Sequence, residues 1–170
     1  MKKLYAPWRS DYASSVAQTK EEKAGAQDCI FCTQFSLNTD DEHFILKRFK
    51  YNCIMLNRYP YNAGHLLIIP FEHRAELDQL DAAARSEMME LASKSTELLR
   101  TALKPDGFNI GFNLGKAAGA GIPAHLHMHI LPRWSGDTNF LPTLSDTKQI
   151  SFDLGKMFKD LKPYFEKLSL

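Results

Sequence analysis

The segment His125-Leu126-His127-Met128-His129-Ile130-Leu131 alternates imidazole with apolar side chains and runs into Pro132. On an extended strand successive side chains point to opposite faces, so the three imidazoles line one face at steps of roughly 6.5 to 7 Å. Leu126, Met128 and Ile130 fall on the other face, placed to bury against a core. The fold must then give one strand an apolar layer on one side and polar partners or a ligand on the other. Half of the chain's 6 histidines sit in these five residues, so the cluster is not a chance of composition.

The flanking sequence supplies candidate layers. His43 to Arg48 and Tyr51 to Asn57 read as two strands joined by a tight turn at Phe49 and Lys50, and Gly64 to Pro70 reads as a third. Between Leu77 and Leu103, apolar residues at Leu80, Ala84, Met88, Leu91, Leu98 and Ala102 recur at helical spacing; Asp78 or Asp81 is placed to cap the start and Pro105 stops the run. Phe108 to Leu114 alternates Phe108, Ile110 and Phe112 against Asn109, Gly111 and Asn113, as in a strand half exposed to a cleft. The histidine strand is expected over Ala124 to Pro132. Leu154, Met157, Phe158, Leu161, Tyr164, Phe165 and Leu168 mark a C-terminal helix, against the local preferences of Gly155 and Pro163. The order predicts an α+β domain: an antiparallel sheet of about five strands with helices on one side.

At 170 residues the chain has the length of one domain. Ser10 to Ala26 is polar without an apolar face, so residues 1–28 are expected as an N-terminal arm and 29–170 as the single folded unit. A formal net charge of +1 gives no broad field for a nucleic-acid polymer. Apolar stretches such as Leu66 to Pro70 fall far short of the roughly 20 residues that span a bilayer, and no apolar run follows the basic N-terminus as in a secretory signal. With three cysteines there is no disulfide framework, and a cytoplasmic location is expected.

Three readings of the histidine row compete. A structural role needs a hydrogen-bond partner for every buried ring. A metal site is a second, because imidazole ligates zinc and alternate strand positions can converge on an ion. The third makes the middle imidazole a nucleophile with flanking groups that orient it and handle protons. Five glycines between Gly107 and Gly121 lead into the row, and glycine-rich backbone forms nests for phosphate oxygens. Lys116 and Arg133 could add positive charge at the ends of that loop. Together these favour chemistry at phosphorus. The pair Cys29-Ile30-Phe31-Cys32 reads as zinc-binding rather than redox-active, since no strand precedes it.

Residues 125 to 131 match His-φ-His-φ-His-φ-φ, and on that motif the chain resembles the histidine triad (HIT) superfamily of nucleotidyl hydrolases and transferases. Leu4 to Arg9, Asn57 to His65, Asn113 to Gly115 and Pro132 to Phe140 are similar to its bacterial branch acting on diadenosine tetraphosphate. The resemblance implies a HIT-like fold, a homodimer and no organic cofactor. It implies that His127 attacks the α-phosphorus of a nucleotide, that His129 bonds phosphate oxygens and that His65 belongs to the network behind the nucleophile. Asn57 matches a ribose-holding position, Asn113 a phosphate contact, and Gly121 and Ile122 the phosphate-binding turn. It also implies a structural zinc on Cys29, Cys32, His73 and His125. His43 is then expected at the surface and Cys53 as a small buried residue. Two rival functions remain: a hydrolase with the triad on a catalytic ion, and a zinc-stabilised nucleotide-binding module without catalysis.

Overall fold

Short apolar-rich segments form strands β1 (Ile45–Arg48), β2 (Asn52–Leu56), β3 (Leu66–Pro70), β4 (Gly107–Phe112) and β5 (Met128–Arg133). This computed structural model describes residues 28–138, 140–145 and 150–170. The expected N-terminal arm and the motif at residues 4–9 lie outside them, apart from Asp28, and so does Asn139. The strands form one antiparallel sheet in the order β1-β2-β3-β5-β4. Between them run helices α1 (Ile30–Ser36), α2 (Ala82–Leu103), α3 (Phe140–Ser145) and α4 (Leu154–Glu166). The α+β class, five strands, long helix and C-terminal helix are as the sequence predicts.

The sheet's two faces carry different cores. Leu46, Ile54, Leu56, Leu66, Ile68, Leu126, Met128 and Ile130 point to the face covered by α2 and α4, where Met88, Leu91, Leu99, Phe158, Leu161 and Phe165 meet them. Full burial of each such side chain stabilises the fold by about 1.5–3 kcal/mol. The opposite face buries Ile45, Cys53, Met55, Leu67 and Ile69 beneath Cys29 and Phe31. Helices were expected on one side only; α1 adds a short cap on the other. His129 pairs with Leu67 and Gly111, so the histidine row lies on this second face.

Several boundaries differ from the sequence reading. The helix expected from Leu77 is divided: Leu77–Gln79 is one 3-10 turn closed by a reciprocal Glu76–Gln79 capping box, and α2 starts only at Ala82. Asp81 takes the N-cap position without a side-chain bond, and α2 ends at Lys104 in the left-handed region, just before Pro105. Gly155 lies in the first turn of α4, whereas Pro163 lies inside the helix, which runs on to Glu166 although proline has no N–H for the carbonyl four residues back. Asp153 caps α4 by accepting from Lys156 N–H at 2.6 Å, and Lys47 Nζ donates to the carbonyls of Glu166 and Leu168 at its end. Ile110 is 47% exposed because β4 is the sheet's edge. His43 is half-buried rather than at the surface, with both ring nitrogens buried and unpartnered among the described residues. No described helix is long and apolar enough to cross a membrane.

Candidate active site

The histidine row is only partly in the ladder: β5 begins at Met128, so His129 is paired while His125, at a bend, and His127 precede the strand. Alternation nevertheless persists, with Leu126 and Met128 in the main core and the imidazoles opposite. The three rings then enter three different environments.

His125, fully buried, meets Cys29, Cys32 and His73. Its Nδ1 lies 3.3 Å from Cys29 Sγ, 3.5 Å from Cys32 Sγ and 3.3 Å from His73 Nδ1; Cys32 Sγ is 3.4 Å from His73 Nδ1. A tetrahedral Cys2His2 zinc with Zn–S of about 2.3 Å and Zn–N of about 2.0–2.1 Å requires N to S edges of about 3.6 Å and an N to N edge of about 3.3 Å. The four edges given match that frame to a few tenths of an ångström, and all four donor atoms lie within 4.8 Å of one another. Its protonation fits too. His125 Nε2–H donates to the Pro70 carbonyl at 2.8 Å, which leaves Nδ1 with its lone pair facing the sulfurs, the arrangement that orients a metal-bound histidine. Burial pushes the Cys32 thiol up to about 11, with Cys29 adding to it, so a dication is what would hold it as thiolate. The described residues thus contain a possible metal site that takes only His125 from the row.

His127 is 7% exposed, and its Nδ1–H donates to the backbone carbonyl of His125 at 2.9 Å. This bond fixes the tautomer: Nε2 carries the lone pair, and no described residue bonds it. Burial holds the ring's pKa below the ordinary imidazole value. The nucleophile envisaged from the sequence therefore needs no base to deprotonate it near neutral pH.

His129 is reached by a chain of fixed tautomers. His65, fully buried, accepts at Nδ1 from Tyr61 N–H at 3.1 Å and from Asn57 Nδ2 at 3.3 Å. With Nδ1 accepting twice, its proton sits on Nε2 and is donated to His129 Nδ1 at 2.9 Å. The proton of His129 is thereby placed on Nε2, which is buried and unpartnered among the described residues. Burial first, then the neighbouring imidazoles, lowers His65 to about 3 and His129 to about 4, so both rings are neutral. His65 bonds to His129 and not to His127. Gly64 makes its placement possible: φ is +69°, and a Cβ there would collide with Leu103.

The other expected residues divide. Asn57 accepts from Tyr59 N–H at 2.9 Å, an Asx-type turn, while its amide serves His65. Asn113 Nδ2 reaches the Gly119 carbonyl at 3.4 Å and so braces the glycine-rich loop. Gly115 and Gly119 in that loop have φ of +75° and +88°, and Ile122 packs on the second core beside the row. Arg133 is not free for phosphate. It clamps Asp137 with two bonds of 2.7 and 2.8 Å and reaches Asn109 Oδ1 at 2.8 Å. Asp137, held well below the usual carboxylate range by Arg133, also accepts from Asn62 at 2.7 Å and so ties the Asn57–His65 loop to β5. Sequence reasoning assigned nothing to Tyr61, whose ring lies 4.8 Å from His65 and, nearly parallel, 6.1 Å from His129.

Comparison with known proteins agrees with this geometry. A family model described as HIT domain matches residues 38–136. The chain is 33% identical over 150 residues to a protein of Mycobacterium tuberculosis named AP-4-A phosphorylase, covering 88% of this chain and 77% of that one. It is 31% identical over 134 residues to an adenosine 5'-monophosphoramidase of Saccharomyces cerevisiae, covering 78% and 80%. Among solved structures, a Zn-bound histidine triad family protein of Mycobacterium smegmatis aligns with a TM-score of 0.68 at 26% identity, over 84% of this chain and 96% of that one.

Proposed function

Since the chain belongs to the HIT family, we propose that it is a nucleotide hydrolase or nucleotidyltransferase that cleaves a dinucleoside polyphosphate, diadenosine tetraphosphate first among them, through a covalent intermediate on His127. The observation that carries this reading is the His127 tautomer, with Nδ1–H bound to the His125 carbonyl and the Nε2 lone pair left for an electrophile. Nε2 attacks the α-phosphorus, a P–N bond forms, the anhydride P–O bond breaks, and its electron pair leaves with the departing phosphate chain. His129 Nε2–H is the donor for a phosphoryl oxygen, and its lack of a described partner supports that role. His65 and Asn57 hold His129 in the donating tautomer, with Asn57 also beside the ribose. Asn113, Gly121 and Ile122 form the turn around the phosphates. Water or inorganic phosphate then attacks the same phosphorus, the P–N bond breaks with its electron pair returning to His127 Nε2, and the attacking oxygen's proton, where it carries one, is released to solvent.

The same reading includes a structural zinc on Cys29, Cys32, His73 and His125, supported by the fit of the cluster and by the Zn-bound relative. Because all four positions are protein ligands, such an ion has no open place for water and takes no part in the chemistry. A homodimer is supported by the open edge of β4, which carries exposed Ile110 and no proline. The folded unit spans 29–170 and works in the cytoplasm.

Mass spectrometry of protein quenched during turnover tests the central step. A nucleotidyl adduct on His127 is expected, with His127→Ala losing turnover while still binding nucleotide; full activity in that variant ends the proposal. Product analysis identifies the acceptor: ADP plus ATP means phosphorolysis, AMP plus ATP means hydrolysis.

A further inference from the structure

Phe31 stands between the two cysteines, and its ring is 5% exposed. Its centroid lies 5.4 Å from that of His125 at an interplanar angle of 84° and 5.5 Å from that of His127 at 61°, so it meets the metal-side ring and the middle ring of the row edge-on. We propose that Phe31 is a positioning residue which passes the state of the Cys29/Cys32/His73/His125 cluster to the imidazole of His127; the inference rests on the reading of His127 as nucleophile.

The placement follows from α1. Cys29 is its N-cap and Cys32 lies in its first turn, so an ion held by both thiols fixes the backbone on either side of Phe31. The bond from Nδ1–H to the His125 carbonyl anchors one atom of the His127 ring. The ring is also packed against two others: Phe31, and His129 at 5.0 Å. Without Phe31 the imidazole gains space to swing about its anchored edge, and Nε2 loses its aim. Phe31 also belongs to the apolar cluster of Ile45, Met55, Leu67 and Ile69, so simple packing is the competing account. Phe35 separates the two. It lies on the same helix, stacks on Phe31 at 6.4 Å and meets His125 at 6.1 Å and Phe71 at 5.2 Å, but among the described residues its ring does not meet His127, so its loss leaves the Phe31–His127 contact in place.

The test measures single-turnover adduct formation by rapid quench on the metal-loaded full chain with diadenosine tetraphosphate, in Phe31→Leu, Phe31→Met and Phe35→Leu. Metal content and nucleotide affinity are measured alongside. Both Phe31 variants should form adduct about 10- to 100-fold more slowly, the usual consequence of a misaimed reacting atom, with metal content and affinity unchanged. Phe35→Leu should react at close to the native rate. Imidazole 15N NMR gives a second readout, in which the Phe31 variants keep the Nδ1–H signal of His127 but show a shifted and broadened Nε2 signal as the ring moves about its anchored edge. Having two Phe31 variants keeps the test open if one fails to fold. A native rate with native His127 signals in either, equal slowing in Phe35→Leu, or slowing that merely tracks lost metal overturns the proposal. Absence of adduct in the native protein counts against the covalent mechanism alone, and the His127 signals still test Phe31.

Discussion

His125 and His129 flank His127 at the same spacing, yet their rings are held by opposite means. At His125 both nitrogens face groups of the fold, Nε2 the Pro70 carbonyl and Nδ1 two sulfurs and His73. At His129 only Nδ1 is engaged, by His65, while Nε2 is buried one bond short. An unsatisfied polar group inside a protein costs about 1–3 kcal/mol. The His125 end is closed by groups of the fold, whereas the His129 end keeps a deficit; under the proposed function the first serves architecture and a substrate oxygen relieves the second.

The sharpest way to break this contrast is to remove a ligand at the closed end. Cys32→Ala takes away one thiol of the cluster and should lower the unfolding free energy of the metal-loaded protein by more than about 4 kcal/mol, the range in which loss of a structural metal falls. Urea denaturation reads the change, and a chelator added to the native protein should reproduce it. An unchanged midpoint in both would mean that the cluster carries no ion of structural weight.

At the open end the expected loss is in rate rather than stability. His65→Leu deprives His129 Nδ1 of its donor, so the ring can take the tautomer with no proton on Nε2, and adduct formation should fall about 100-fold, as when a positioned donor is lost. His65→Gln can donate an amide N–H to His129 Nδ1 and should recover most of that rate. Equal rates for the Leu variant and the native protein would show that the relay from Asn57 through His65 does not set the proton on His129.

The sequence made the sheet legible where short apolar runs are bounded by turns, as in β2 and β3, whose alternate residues are buried on both faces. It was less informative where length is short. α1 has seven residues and buries only Phe31 and Gln34, too little for a periodic face, and α3 has six with Pro142 inside. The division before α2 depends on the Glu76–Gln79 capping box, a pairing of side chains rather than an apolar rhythm. In the site, the family resemblance named Cys29, Cys32, His73 and His125 together, and the fold brings these four into one cluster. Tautomers were not legible. Each depends on a partner brought by another element, Pro70 for His125 and Tyr61 and Asn57 for His65, and Arg133 was misjudged because Asp137 closes on it only in the folded turn.

The smallest expected effect distinguishes the ends by pH. His65 and His129 have pKa values of about 3 and about 4 in the folded protein, against 6.5 for the free side chain, because burial penalises the charged form. As pH falls below 6.5 the unfolded chain takes up protons that the folded chain still refuses. Stability is therefore full above 6.5 and declines as pH drops toward 4 and then 3, the direction for groups whose folded pKa is depressed. Loss of metal from the closed end in acid has the same sign, so the native profile alone does not separate the two. His65→Leu does: it removes one refused proton and leaves the four cluster residues in place. Its stability should fall less steeply between pH 6.5 and 4, by up to about 1.4 kcal/mol per pH unit for one proton, in denaturation curves taken across that range. Identical slopes would remove the reason to regard His65 as held neutral by the fold.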